Sequence, residues 1–351
     1  MKKSISLLLL FVITLFCLWG CDEPSVSPNS QPVTDISDYG LALHFIDVGQ
    51  GDSTLVESSG RFALIDGGEY SERDKVVSYL SSQGVKELDY IISTHPHSDH
   101  CGGLSEVIRT FSTAVLICPD APTSSSWEYV MDAADERGVA YETPNPYDTY
   151  QLGSATITVL SPDKNDVYSE LNDYSIVTMI EYGNTSALLT GDAEKGVEKA
   201  LVRSGYDLSA DILKCGHHGS STSSCEQFLD AVSPDAAVIS CGRNNEYGHP
   251  HEETLTALKE RNISVWRTDN SGNIVALSDG ESFTFSTSTE VATIAHNTQP
   301  EALYIGNKNS KVFHSLSCGA VNNMKEDNKV PFENYDDAVN AGYRPCGTCD
   351  P

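Results

Sequence analysis

Residues 94–103 read Thr94-His95-Pro96-His97-Ser98-Asp99-His100-Cys101-Gly102-Gly103 and follow an apolar run over residues 88–93; everything around them is interpreted from here. Three histidines and an aspartate fall between positions 95 and 100. In an extended segment leaving a strand, side chains two apart point the same way, so His95 and His97 can present two imidazoles to one cation. Asp99 and His100, turning into a following helix, can offer an oxygen and a nitrogen to a second cation nearby. The chain has ten histidines in 351 residues, and chance rarely gathers three so tightly; a polar surface loop is the plain alternative.

Outward from this segment, short β-like runs recur from Leu41 on: LALHFI, FALI, LDYIIS, TAVLIC, ATITVL, SIVTMIEY, SALLT, ADILKC, AAVIS, ISVW, NIVAL and SFTF. The patterning predicts helices over residues 71–82, 104–111, 126–137, 194–203 and 252–261. Strands outnumber helices about two to one, which argues against a simple βαβ wheel and for two packed sheets with helices outside them. The fold class is therefore α/β, and no internal repeat is visible.

The charge is far from balanced. Fifty acidic and 22 basic residues give a formal net charge of −28, which excludes a basic nucleic-acid coat protein. Residues 40–285 hold 38 acids against 15 bases, whereas residues 303–351 hold 6 against 5, so two different modules are expected. A hydrophobic content of 39% is enough for a real core.

At the start of the chain, Lys2 and Lys3 precede an apolar run over residues 7–19. That run is too short to cross a hydrocarbon core of roughly 30 Å as a helix, so residues 1–20 read as an export signal. Leu18-Trp19-Gly20-Cys21 resembles the bacterial lipobox. The resemblance implies that Cys21 is lipidated and anchors the protein durably at a membrane face outside the cytoplasm; ordinary cleavage and secretion is the alternative. Residues 21–39 have the composition of a tether and residues 286–302 that of a linker. Five cysteines in the main module (101, 118, 215, 225, 241) cannot all pair with one another; Cys118, Cys215 and Cys241 read as small buried residues.

The HxHxDH motif is the signature of the metallo-β-lactamase fold, and other pieces follow in that family's order. Leu188-Leu-Thr-Gly-Asp192 closes a strand, and the resemblance implies that Asp192 bridges two metals. His217-His-Gly-Ser220 follows another strand, where the family places a ligand to the second metal; either His217 or His218 fills that role. His44-Phe-Ile-Asp-Val-Gly-Gln-Gly-Asp52-Ser, Leu64-Ile-Asp-Gly-Gly68 and Tyr247-Gly-His-Pro250 narrow the likeness to the hydrolase domain of ComEC-type competence proteins, which act in DNA uptake. It covers residues 40–285 and implies a four-layer αββα sandwich holding two divalent ions, zinc or manganese. One departure stands out: no histidine occurs between His100 and His217, and Asn172-Asp-Tyr-Ser175 occupies the corresponding region. The first metal is then left with His95, His97 and Asp192.

Two further aspartates, Asp47 and Asp66, each end a strand near glycine and could accept a hydrogen bond from the far nitrogen of a metal-bound histidine; a plain turn aspartate is the alternative for each. His249 is expected at the substrate phosphate or the rim of the site. Two divalent ions activate water for hydrolysis without a protein nucleophile. Asp99 would hold that water and take its proton; His249, with His218 or His217, would donate to substrate oxygen. The resemblance favours a phosphodiester, and DNA in particular. Against DNA stands the acidic surface, which lacks the electrostatic footprint of non-specific binding. A phosphocholine esterase acting on a wall polymer and a non-catalytic metal-dependent binding protein are the alternatives. No obligate protein partner is inferred.

The tail, residues 303–351, is too small to build a core of its own, so something must staple it. His314, Cys318, Cys346 and Cys349 form an HxxxC…CxxC set able to close one tetrahedral zinc site. The stretch resembles the Ada-type metal-binding module, with His314 in place of one of its four cysteines. A Cys346–Cys349 disulfide is the alternative.

Overall fold

The computed structural model describes residues 39–288 and, in the tail, residues 304–315, 318–325, 328–332, 335–347 and 349. Cys21, the signal segment and residues 21–38 of the tether lie outside the described residues, as do residues 289–303.

The chain first lays down β1 (Leu41–Phe45), β2 (Thr54–Ser58), β3 (Arg61–Ile65), β4 (Glu87–Ile92), β5 (Ser112–Ile117) and β6 (Ala140–Glu142). It then builds a second sheet from β7 (Thr149–Leu152), β8 (Ala155–Ser161), β9 (Val177–Tyr182), β10 (Thr185–Leu189), β11 (Ile212–Lys214), β12 (Ala236–Ile239) and β13 (Ser264–Arg267). Finally β14 (Asn273–Ser278) and β15 (Phe283–Ser288) return to the first sheet, where β14 pairs antiparallel with β1. The sheet orders are β15-β14-β1-β2-β3-β4-β5-β6 and β13-β12-β11-β10-β9-β8-β7. Because β15 continues to Ser288, the folded module runs past the boundary expected at residue 285.

Two-residue periodicity explains the layers. Leu41, Leu43 and Phe45 of β1, Ala63 and Ile65 of β3, and Ala187 and Leu189 of β10 all enter the core between the sheets. Their neighbours Leu64 and Leu188 point the other way, into separate outer cores. On the first sheet that outer core is covered by α1 (Arg73–Ser82), α3 (Leu104–Thr110) and α4 (Ser125–Arg137), with the short α2 (Ser98–Cys101) ahead of α3. On the second it is covered by α5 (Lys195–Ser204), α6 (Glu226–Val232) and α7 (Glu252–Glu260). A one-turn α8 (Thr268–Ser271) links β13 to β14. The result is the expected four-layer αββα sandwich. Ser124 caps α4 by accepting from Trp127 N at 3.1 Å, and Gly138 ends the helix at φ +66°.

The strands β2, β6 and β7 and the helix α6 were not expected from patterning. β2 carries Glu57 and Ser58 in a fully buried strand, and α6 is only seven residues long. Both hide the apolar period that sequence reading depends on. The parallel strands β3 and β4 and the parallel run β10-β11-β12 all end on one side of the sandwich, as does β1. Functional groups gather there, outside the carboxyl ends of strands.

Candidate metal centre

Each motif opens directly off one of those strand ends. His95 follows β4, Asp66 follows β3, Asp192 follows β10 and His218 follows β11. Asp66, at φ +58°, aims its carboxylate at the loop after β4. It accepts from Thr94 N at 2.8 Å and from Thr94 Oγ1 at 2.7 Å, and holds His100 Nδ1 at 2.8 Å. That turns His100 Nε2 toward Asp192 Oδ2, 3.2 Å away. His95 Nδ1 is taken up by Thr94 Oγ1 at 3.1 Å and Ser175 Oγ at 3.3 Å, so its Nε2 faces His97 Nδ1 at 3.0 Å.

The second sheet supplies the other half. Ser175 Oγ accepts from Asp192 N at 2.9 Å, fixing the loop that carries the carboxylate. Asp192 Oδ2 lies 3.2 Å from His100 Nε2, 3.4 Å from His218 Nε2, 3.9 Å from His95 Nε2 and 4.0 Å from His217 Nε2. Asp99 Oδ2 is 3.2 Å from His218 Nε2. His217 and His218 are consecutive non-glycine residues at φ +49° and +53°, a left-handed pair that costs about 1–3 kcal/mol per residue and persists where surrounding structure holds it. The pair separates the two rings. His218 is buried and places Nδ1 3.0 Å from Ser240 O, leaving Nε2 to the carboxylates. His217 sits further out, with Nδ1 on Thr222 Oγ1 at 3.0 Å and near Glu194 Oε1 at 3.4 Å.

This donor set fits a cation. His100 and His218 both turn Nδ1 to acceptors on the far side, so both Nε2 atoms face carboxylate oxygens, acceptor toward acceptor. His100 Nε2 and Asp192 Oδ1 are buried with no hydrogen-bonded partner. Burial opposes charge on His100 and His218, yet the surrounding carboxylates, Asp192 with Asp66 at His100 and Asp192 with Asp52 and Asp99 at His218, together outweigh it and push both imidazoles well above the usual histidine range. Burial likewise opposes ionisation of Asp99 and Asp192, but His100 and His218 hold both carboxyls below the usual range. The cluster calls for positive charge at its centre.

Two residues behind the cluster were missed in the sequence. Asp52 directs Oδ1 to His218 Nδ1 at 3.4 Å and Oδ2 toward His100 Nδ1 at 4.0 Å, on the edges that face away from Asp192. It belongs to the same buried group but supports the rings from outside. Lys214 pairs with it at 2.5 Å. A lysine closing a short buried strand was the available signal. Asp47 takes the alternative reading, that of a turn aspartate: its Oδ1 accepts from Gly49 N at 3.1 Å, closing a turn. Of the two candidate supporting aspartates, only Asp66 touches a histidine of the cluster.

The cluster opens into a cleft of about 280 Å³ lined by Gln50, His97, Ser98, Asp99, Asn172, Asp192, His217, His218, Tyr247 and His249. His249 is fixed through Asn245, which accepts from His249 N at 2.9 Å and donates to His249 O at 2.6 Å. Burial and the neighbouring histidines push its imidazole down to about 4. Gln50 Oε1 accepts from Gly242 N at 3.0 Å, so its amide nitrogen faces His249 Nδ1 at 3.4 Å and the ring proton is assigned to Nε2.

Residues 46–243 match the profile of the metallo-beta-lactamase superfamily. The chain belongs to that superfamily. Its members bind divalent metals, and this chain is a metallo-β-lactamase-fold, metal-dependent hydrolase. It is 37% identical over 251 residues to ComE operon protein 3 of Bacillus subtilis, covering 66% of this chain and 32% of that protein. It is 33% identical over 236 residues to Recombination protein 2 of Haemophilus influenzae, covering 65% and 28%. It is 32% identical over 250 residues to Competence protein ComA of Neisseria gonorrhoeae, covering 71% and 33%. The chain thus spans about a third of the length of these curated relatives.

Alongside its metallo-β-lactamase domain the chain carries an Ada-like metal-binding domain: residues 290–351 match the metal binding domain of Ada. There β16 (Tyr304–Asn307), β17 (Val312–Ser315), α9 (Gly319–Asn322), β18 (Lys329–Phe332), α10 (Tyr335–Asn340) and β19 (Arg344–Pro345) surround a core of Phe313, Ala338 and Tyr343. His314, Cys318, Cys346 and Cys349 place their ligand atoms within 4.8 Å of one another, with Cys318 Sγ 3.4 Å from His314 Nδ1. Cys346 and Cys349 are not joined. Three sulfurs and one imidazole suit a single tetrahedral zinc.

Proposed function

We propose that the protein is a phosphodiesterase that cleaves DNA outside the cytoplasm, tethered to a membrane through a lipid on Cys21. The observation that carries this reading is the convergence of His95 Nε2, His97 Nδ1, Asp99, His100 Nε2 and His218 Nε2 around Asp192, at the floor of an open cleft. The names of the relatives, two of them tied to competence or recombination, support a nucleic-acid substrate over a lactam.

His95, His97 and Asp192 would hold one divalent ion and Asp99, His100, His218 and Asp192 another, zinc or manganese. Bound there, such ions supply Lewis acidity and a water acidified toward neutral pH. The protein residues divide the remaining work. Asp99, kept ionised by His100 and His218 against its burial, accepts a proton at its carboxylate. His249 stays neutral at physiological pH and presents Nε2–H as a donor to the leaving oxygen. Asp66 and Ser175 keep His100 and His95 in their required orientations. A covalent route through Cys101 is disfavoured, because burial, Asp66 and Asp99 push its thiol far above the range where thiolate forms.

The test is hydrolysis by the metal-supplemented full chain of single-stranded DNA, bis-p-nitrophenyl phosphate, a phosphocholine ester and a β-lactam. Turnover of the first two supports the reading. Choline release alone overturns it in favour of a wall-polymer esterase, and tight metal uptake without any turnover overturns it in favour of a binding protein.

A further inference from the structure

We propose that Tyr247 is a stacking platform for an unpaired base beside the scissile phosphate, so that the cleft takes single-stranded nucleic acid. This rests on the phosphodiesterase reading above and narrows its substrate.

Tyr247 is a large aromatic residue on the cleft wall, yet it is 67% exposed. Its ring lies on that of His249, with centroids 5.6 Å apart and planes 21° from parallel. His249 in turn lies on His218 at 6.0 Å and 29°. Three rings therefore step outward from the metal cluster in nearly parallel planes. The inner two are held by Ser240 and Asn245. The outermost stacks on His249 and is still 67% exposed, which leaves ring surface for a stacked base.

Charge explains why such a platform would matter here. Residues 40–285 carry 23 more acids than bases, so the protein surface offers the phosphate backbone little of the attraction that dominates ordinary DNA binding. Stacking does not depend on ionic attraction and accepts every base, because every base has a π-face. In a duplex those faces are already covered by neighbouring pairs. A quaternary ammonium group would instead need several aromatic faces around it, and Tyr247 is the single exposed aromatic ring among the residues lining the cleft.

The test compares the metal-loaded full chain with Tyr247→Ala and Tyr247→Phe on a single-stranded oligonucleotide, the same strand made abasic, and the duplex. Tyr247→Ala is expected to raise KM on the base-bearing strand by roughly tenfold or more, with no matching fall in kcat, while Tyr247→Phe restores the wild-type KM. On the abasic strand the wild type is expected to show the raised KM already, with no further rise in Tyr247→Ala. An unchanged KM in Tyr247→Ala, an equal rise on both strands, or a lower KM for duplex overturns the platform while leaving the phosphodiesterase reading intact. Failure of the wild type to cut any of the three overturns both.

Discussion

Lys214 Nζ lies 2.5 Å from Asp52 Oδ2, and both side chains are buried beneath the histidines of the metal cluster. Burial raises the carboxyl of Asp52, but Lys214 together with His218 and His100 outweighs it and brings the group down to about 2. The pair is thus a fixed charge couple behind the Nδ1 edges of His100 and His218. Removing one member of such a pair strands the other, typically at about 3–5 kcal/mol, whereas replacing both by apolar groups is far milder. Urea denaturation of Lys214→Met should show a loss of that order. The double variant Lys214→Met with Asp52→Leu should recover most of it. A loss below about 1 kcal/mol in the single variant would place the pair among ordinary contacts.

Among the described residues Asp192 is the carboxylate that reaches all four of His95, His100, His217 and His218 within 4.0 Å. Asp192→Ala is expected to lower hydrolysis by more than about a hundredfold, beyond what loss of a supporting hydrogen bond gives. Bound cation should fall too, with circular dichroism unchanged. Full turnover in this variant would contradict a shared role for the carboxylate.

Glu57 is buried in β2, and burial pushes its carboxyl up from 4.5 to about 7. The unfolded chain releases this proton near the lower value, and the folded chain holds it to the higher one. Stability from this group is therefore fully present below the lower value, declines as pH rises between the two, and is lost above the higher. Glu57→Gln should flatten that slope, being more stabilising relative to wild type at pH 8 than at pH 4 by up to about 3 kcal/mol. Denaturation midpoints of the two proteins across this window give the comparison; parallel curves would show that Glu57 does not set the slope.

In the tail, His314 stands 3.4 Å from Cys318 Sγ and within reach of both remaining cysteines. Elemental analysis of the full chain should find one zinc lost in His314→Ala and retained in His314→Cys, which recreates a four-sulfur set. Chelation under reducing conditions should expose the tail to limited proteolysis. A tail that resists protease in chelator would remove the zinc staple.

Much of this site was legible because its pieces are local. His95 to His100 sit in one loop, and Asp192 and the His217–His218 pair each follow an apolar strand and a glycine. Strand ends with glycine leave a readable mark in a linear chain. What stayed hidden depends on packing between distant segments. Asp47 and Asp52 both lie in the loop between β1 and β2, yet only the approach of β11 puts a lysine on Asp52, while Asp47 closes its own turn. Likewise, nothing in the sequence separates His217 from His218. The left-handed turn does so, burying one ring and leaving the other at the rim.

Strand polarity carries one more consequence. β1 begins next to Gly40, whose N–H bonds to Ser278 O, and runs toward Asp47 and the loop that supplies Asp52. The polypeptide therefore enters the sandwich at its base, remote from the catalytic mouth.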